Sequence, residues 1–330
     1  MNPYSGVTFF EFFAVLFSRI ARLFTQDTVT LVSDEVQLLA LIGVALSASV
    51  LGGILYMKKM TMAAGALSHT VLLGIVVAFL ALKAMSGALF VSVYSLPTLL
   101  IGGLIAAVIT LFLNEVLHKK LGVEKGASVG LVFTTLFALS LVLVSIYLKN
   151  THIGLDSIMG NIDGVHRDDL KPIYVLAVVN ACFIILFFRP LMMDAFDPMF
   201  ASLVGVRNKI IVPVTLILLA LSATVFFKAI GVFLFLAFLV IPIFIARAWT
   251  HNLKFLLLFA TVISCVGSII GVALSRHFLS YYQLPLSSSA LVALVVACLG
   301  ALLLGLKRFK TVVINRRKRY SLNKIWAHKP

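Results

Sequence analysis

Residues 229–246 read Ala229-Ile230-Gly231-Val232-Phe233-Leu234-Phe235-Leu236-Ala237-Phe238-Leu239-Val240-Ile241-Pro242-Ile243-Phe244-Ile245-Ala246, without one charged side chain. Wound as a helix, the run covers roughly 27 Å, close to the roughly 30 Å hydrocarbon core of a bilayer. Similar runs recur along the chain. Of its 330 residues, 62% belong to the AVILMFWYC set and 12% are charged, and the mean hydropathy is +1.12. Globular proteins average about 45–50% apolar and about 25% charged residues, so a soluble domain is excluded. The fold class is all-α, a polytopic transmembrane helical bundle.

Nine spans are expected, within a range of about 8–10, near 36–57, 62–85, 90–113, 127–148, 172–189, 210–227, 229–248, 254–275 and 286–306, divided by charge, proline or glycine. No soluble domain fits between them. The division is therefore a 1–35 amphipathic extension, a 36–306 membrane domain and a 307–330 tail. One alternating set of loops holds Lys58, Lys59, His118, Lys119, Lys120, Lys125, Arg189, Arg207, Lys209, Arg247, Lys254 and the tail. The other holds Lys83, Lys149, Arg167, Lys171, Lys228 and Arg276, partly balanced by Asp156, Asp163, Asp168 and Asp169. Positive charge collects in cytoplasmic loops, which puts the first set and the C-terminus in the cytoplasm.

The formal charge of +15 invites a nucleic-acid reading, but nine of the 27 basic residues lie in 307–330, which holds no acid. A basic tail directly after a span is the usual cytoplasmic flank and attracts anionic lipid, so nucleic acid is not an expected partner. Residues 6–25 are long enough to span, yet Arg19 and Arg22 would then sit outside, and an interfacial helix is the better reading. Cys182, Cys265 and Cys298 fall in apolar runs as small hydrophobes. Ala45, Ser49 and Gly53, and the pair Gly267 and Gly271, recur every four residues, a spacing that lets helices approach closely in lipid.

The chain has no Gly-Lys dipeptide and so no Walker A loop to cradle phosphates. Gly126-Ala127-Ser128-Val129-Gly130 matches a nucleophile elbow in letters only, because it opens a span where the elbow needs a strand before it. Intramembrane polar groups are costly and mark partners or paths. His69, about 15 Å past Lys59 along a helix, falls near the midplane, where a neutral imidazole suits first-row metal ions; a histidine bonded to a neighbouring helix reads equally well. In the loop 149–171, His152, Asp156, Asp163, His166, Asp168 and Asp169 could collect cations or dock a charged partner, but an ordinary solvated loop has the same composition and is the better reading. Asn180, Lys228 and Arg247 read as packing or interface groups. In the stretch that follows the fifth span, Asp197 can cap a helix, Pro198 is preset for its first position and Gly205 can close it. Met199, Phe200, Leu203 and Val204 would share one apolar face, free to pack on another protein or equally on the chain's own bundle or lipid.

Several segments together resemble the membrane permease subunits of ATP-binding-cassette importers for zinc, manganese or iron. Gly52-Gly53-Ile54-Leu55-Tyr56-Met57-Lys58-Lys59-Met60 and Ala66-Leu67-Ser68-His69-Thr70-Val71-Leu72-Leu73-Gly74-Ile75 are similar to that family's basic turn and its D/E-A-x-S-H-x-x-x-x-G-I helix. Phe196-Asp197-Pro198 through Leu203-Val204-Gly205-Val206 resembles its coupling-helix segment, residues 229–246 its V-G-x-x-L…A-x-L-V-x-P…A span, and Leu284-Pro285 through Ala290-Leu291-Val292 the opening of its last helix. The resemblance runs from about residue 38 to 306. It implies a type II importer permease in the bacterial inner membrane, paired with a second copy or a related permease. It further implies two cytoplasmic ATPase subunits on the coupling helices and a periplasmic or surface metal-binding protein. The divalent metal is then the substrate, no cofactor is resident, and the chain is itself no enzyme. His69 carries over to the metal path, but this sequence has Gly65 where the family places an acid. The rivals are a permease for metal chelates such as siderophores or cobalamin, against which Ser68-His69 argues, and a secondary transporter, which calls for charged pairs at mid-membrane.

Overall fold

The computed structural model describes residues 3–4, 6–25, 31–58, 60–85, 95–147, 162–206 and 208–326, without the side chains of 20, 23–25, 62–64, 67–69, 125, 198, 208–209, 212 and 311–326. Among the described residues there is no strand. The helices are α1 (Phe9–Thr25), α2 (Ser33–Met57), α3 (Thr61–Met85), α4 (Leu96–Glu115, extended by a π turn Val116–Lys120), α5 (Lys125–Tyr147), α6 (Arg167–Leu186), α7 (Phe188–Phe196), α8 (Pro198–Leu203), α9 (Asn208–Ile230), α10 (Val232–Trp249), α11 (Leu253–Tyr282) and α12 (Ser288–Trp326). Helix is the structure that satisfies every backbone polar group within one segment, as lipid demands. Among the described residues eight stretches are long and apolar enough to cross a membrane, in α2, α4, α5, α6, α9, α10, α11 and α12. The expected span 62–85 is α3, whose described apolar stretch is Thr70–Ala84. The polytopic all-α expectation holds.

Several boundaries differ from the reading of the sequence: the third span runs from Leu96 through its π turn to Lys120, and three other differences have a visible cause. The fifth span starts earlier, at Arg167, where Asp169 accepts a hydrogen bond from the His166 backbone (3.2 Å) and caps the first turn. Helix α11 runs on past 275 to Tyr282, because Arg276 does not leave the bundle but pairs with Asp34. Helix α12 continues through the basic segment to Trp326; lysine and arginine are good helix formers and no proline or glycine stops them.

Helix α2 is the hub, packed on α6, α10 and α11 and buried over most of its length. Its Gly52 is required by contact: a Cβ there would lie 2.2 Å from the Leu239 carbonyl oxygen of α10. The same logic seats α3 on α4, where a Cβ on Gly74 would lie 2.0 Å from the Gly102 carbonyl oxygen, and α11 on α12, where Gly267 and Gly271 face Val296 and Val292. Helices α3, α4 and α5 form a second group, joined to the hub group by α9.

Candidate functional site

Successive helices run alternately between two ends of the bundle. One end carries Lys58, the π turn after α4, helices α7 and α8, and Arg247; the other carries the starts of α2, α6 and α12. At the first end Asp197 serves as C-cap of α7 and N-cap of α8 at once. Its backbone N–H donates to the Met193 carbonyl (3.0 Å), while its Oδ1 accepts from the N–H groups of Met199 (2.9 Å) and Phe200 (3.1 Å). Gly205, at φ +90°, closes α8, and Val206 N–H returns to the Ala201 carbonyl at 2.9 Å. The residues that predict a short capped helix therefore make one.

Ala201 is buried against the bundle, but Met199 is 79% exposed, Phe200 54%, Leu203 82% and Val204 55%. The chain's own bundle does not cover this face, which leaves another protein or lipid to do so. Phe196, 84% exposed at the end of α7, extends the apolar surface and was not anticipated, since its place is set by the α7–α8 turn. A cleft of about 710 Å³ adjoins it, lined by Tyr56, Met57, Phe196, Phe244, Arg247 and Leu256 among others. Beside this cleft Lys58, at the end of α2, pairs with Asp194 of α7; the two side chains are 7% and 5% exposed. Nothing in the sequence joins two residues so far apart in the chain.

Within the bundle, position 69 lies in α3 about 12 Å from that helix's start; the His69 side chain falls outside the described residues. Gly65 precedes it by one turn, on the same helical face, and a Cβ at 65 meets no described atom within 4 Å. One residue on, Thr70 accepts a hydrogen bond from Thr110 of α4 (3.1 Å). Asn180, fully buried, donates to Ser47 (2.6 Å) and Ser222 (2.8 Å), tying α6 to α2 and α9. It is the packing group its sequence context suggests.

At the opposite end, Glu35 receives Arg19 and the Tyr4 hydroxyl (3.2 Å), which fastens the N-terminal extension to α2. Burial and the Glu35 charge push the Tyr4 phenol well above its ordinary range. Asp163 accepts from Gln37 (2.9 Å) and Ser288 (2.6 Å), and Asp169 from Lys228 (2.7 Å). His166 and Asp168 are exposed, and His152 and Asp156 lie outside the described residues. Among the described residues no group of three or more His, Cys, Asp or Glu converges; two of the loop's carboxylates are engaged in holding the bundle.

The family model described as "ABC 3 transport family" matches residues 35–306. A probable metal transport system membrane protein of Chlamydia pneumoniae is 34% identical over 290 residues, 88% of this chain and 87% of that protein. The manganese transport system membrane protein MntD of Bacillus subtilis is 31% identical over 268 residues, 77% and 86% of the two. PsaBC from Streptococcus pneumoniae, solved in complex with Fab, shares the fold with a TM-score of 0.66 at 18% identity, over 81% of this chain and 89% of that one. A match over most of the chain and relatives above 30% identity agree with the bundle itself: this is a multi-pass membrane protein belonging to the ABC 3 transport family.

Proposed function

We propose that the chain is the permease subunit of an ATP-driven importer that carries a divalent first-row metal ion, zinc, manganese or iron, across the bacterial inner membrane. The observation that carries this reading is α8: a capped helix presenting an uncovered apolar face at the end of the bundle richest in lysine and arginine, in a chain with no Walker A loop. That end is cytoplasmic by the distribution of positive charge, as is the basic tail. ATP is hydrolysed by partner subunits seated on Asp197, Pro198, Met199, Phe200, Leu203, Val204 and Gly205 and in the adjoining cleft. A second permease, identical or related, completes the path, and a metal-binding protein delivers the ion to the opposite end. The metal transport systems to which the Chlamydia and Bacillus relatives belong support a metal as cargo. Closure of the ATPase pair moves α8, the spans repack around the path, and the His69 imidazole takes the ion transiently. A gradient-driven transporter is less well supported, because the described ion pairs sit at helix ends and not at mid-membrane.

Copurification with an untagged ATPase subunit tests the reading. Burying side chains such as Phe200 and Leu203 is worth about 1.5–3 kcal/mol each. The double variant F200D/L203D should lose at least about 3 kcal/mol, roughly a hundredfold in Kd, while still inserting into the membrane. Retained copurification and metal uptake by that variant refute the assignment of α8.

A further inference from the structure

A movement of α8 reaches the membrane on two sides, through the turn at Gly205 into α9 and, over the more extensive contact, through α7. Helices α7 and α8 share Asp197, which is bonded on both sides and leaves no slack between them. Helix α7 in turn rests on the hub. Leu191, 1% exposed, clusters with Ile54, Ile184 and Ile211, while Phe188 and Met192 join Tyr56, Met57, Ile243 and Leu256. Apolar contacts of this kind are non-directional and let one helix slide over another. The Lys58–Asp194 pair is different: both side chains are more than nine-tenths buried, so parting the charges leaves each in a poorly solvated place. The contact is made or broken, with no intermediate setting.

Lys58 also caps the last turn of α2, its N–H bonded to the Ile54 carbonyl at 3.1 Å, where positive charge complements the helix dipole. From there α2 runs the length of the bundle. It is wedged on α10 at Gly52, held to α6 through Ser47 and Asn180, and pinned at its far end by Asp34 to Arg276 and by Glu35 to Arg19. A displacement of its Lys58 end therefore reaches the opposite end of the molecule as a rigid-body movement.

We propose that Lys58 and Asp194 are positioning residues that pass the movement of α8 to α2, a latch separate from the ATPase contact and from the metal path. The inference rests on the reading of α8 as the site where an ATPase docks. The test uses the permease–ATPase complex in proteoliposomes, with Mn²⁺ as the probe, and reads Mn²⁺ ions carried per ATP hydrolysed. K58M/D194L replaces the ion pair with apolar groups of similar length, a change often neutral or stabilising for a buried pair. That variant should assemble, melt no lower than the wild type and hydrolyse ATP, yet carry about tenfold fewer ions per ATP, within the range usual for coupling between sites. K58R, which keeps the charge pair, should hold the wild-type ratio. If K58M/D194L does not assemble, D194N provides the same reading with its volume unchanged, and a lowered ratio is again expected. A wild-type ratio in K58M/D194L or in D194N overturns the latch, as does equal uncoupling by K58R. Failure of the wild-type chain to bind any ATPase overturns the reading of α8 itself and is told apart from these outcomes by the absence of a complex.

Discussion

The sharpest check on the packing is Gly74→Ala. A Cβ at that position would sit 2.0 Å from the Gly102 carbonyl oxygen, 2.8 Å from the Ala106 Cβ and 2.9 Å from the Ala106 nitrogen. A carbon and a carbonyl oxygen approach to about 3.3 Å at closest, so α4 must retreat by about 1.3 Å. The obstructing atoms are chiefly backbone and cannot rotate away, which puts the overpacking cost near the upper end of the usual range, about 3 kcal/mol. The retreat also lengthens the Thr110–Thr70 hydrogen bond beyond its 3.1 Å, and an interhelical bond of this kind is worth about 0.6 kcal/mol. Replacing a helix-interior glycine with alanine returns about 1 kcal/mol, leaving a net loss of about 2–3 kcal/mol. At about 2 °C per kcal/mol for a chain of this size, the apparent Tm in detergent should fall by about 5 °C. Gly305→Ala, inside α12 where an added Cβ meets nothing within 4 Å, gains the same helix preference unopposed and should raise it by about 2 °C. If the two variants melt together, the close crossing of α3 and α4 is wrong.

Three further outcomes follow from the site and the charge distribution. His69→Gln should abolish radiometal uptake by proteoliposomes with folding and basal ATP hydrolysis kept, since an amide replaces imidazole poorly at such ions. Gly65→Asp, at a position where an added Cβ meets no described atom within 4 Å, should tighten binding or reorder preference among zinc, manganese and iron; normal uptake by folded His69→Gln removes His69 from the path. In a cysteine-free background, an impermeant thiol reagent on intact cells should label Asn161→Cys and not Asn323→Cys, and the reverse pattern inverts the topology.

Much of the bundle is legible in the sequence because lipid imposes one local rule, a long apolar run for each crossing, and α10 obeys it over its whole length. Helix α8 is legible for a similar reason: its cap, first-turn proline and closing glycine act within a few residues of one another. Gly267 and Gly271 announce a close crossing, although not that Val292 and Val296 are what they meet. What could not be read depends on distant parts of the chain. Arg276 looks like the end of a span until Asp34 is placed beside it, and Asp194 looks like a loop acid until α7 folds back onto Lys58. Phe196 lies one residue outside the motif that predicts α8, yet the turn at Asp197 brings it into the same exposed surface. The N-terminal segment reads as an interfacial amphipathic helix, but its own residues do not tell that Tyr4 and Phe12 are the ones turned into the bundle.

The unbroken course of α12 turns the last span into a pointer. Its 39 residues measure about 58 Å, of which the part beyond Lys310 stands about 24 Å clear of the apolar stretch. Pivoted at Ser288, a tilt of about 10° sweeps the far end through about 10 Å, so a small change of angle inside the membrane becomes a large displacement outside it. A pair of fluorophores, one near residue 323 and one on α8, would read the angle of a transmembrane helix from the aqueous side, without a probe ever entering the lipid.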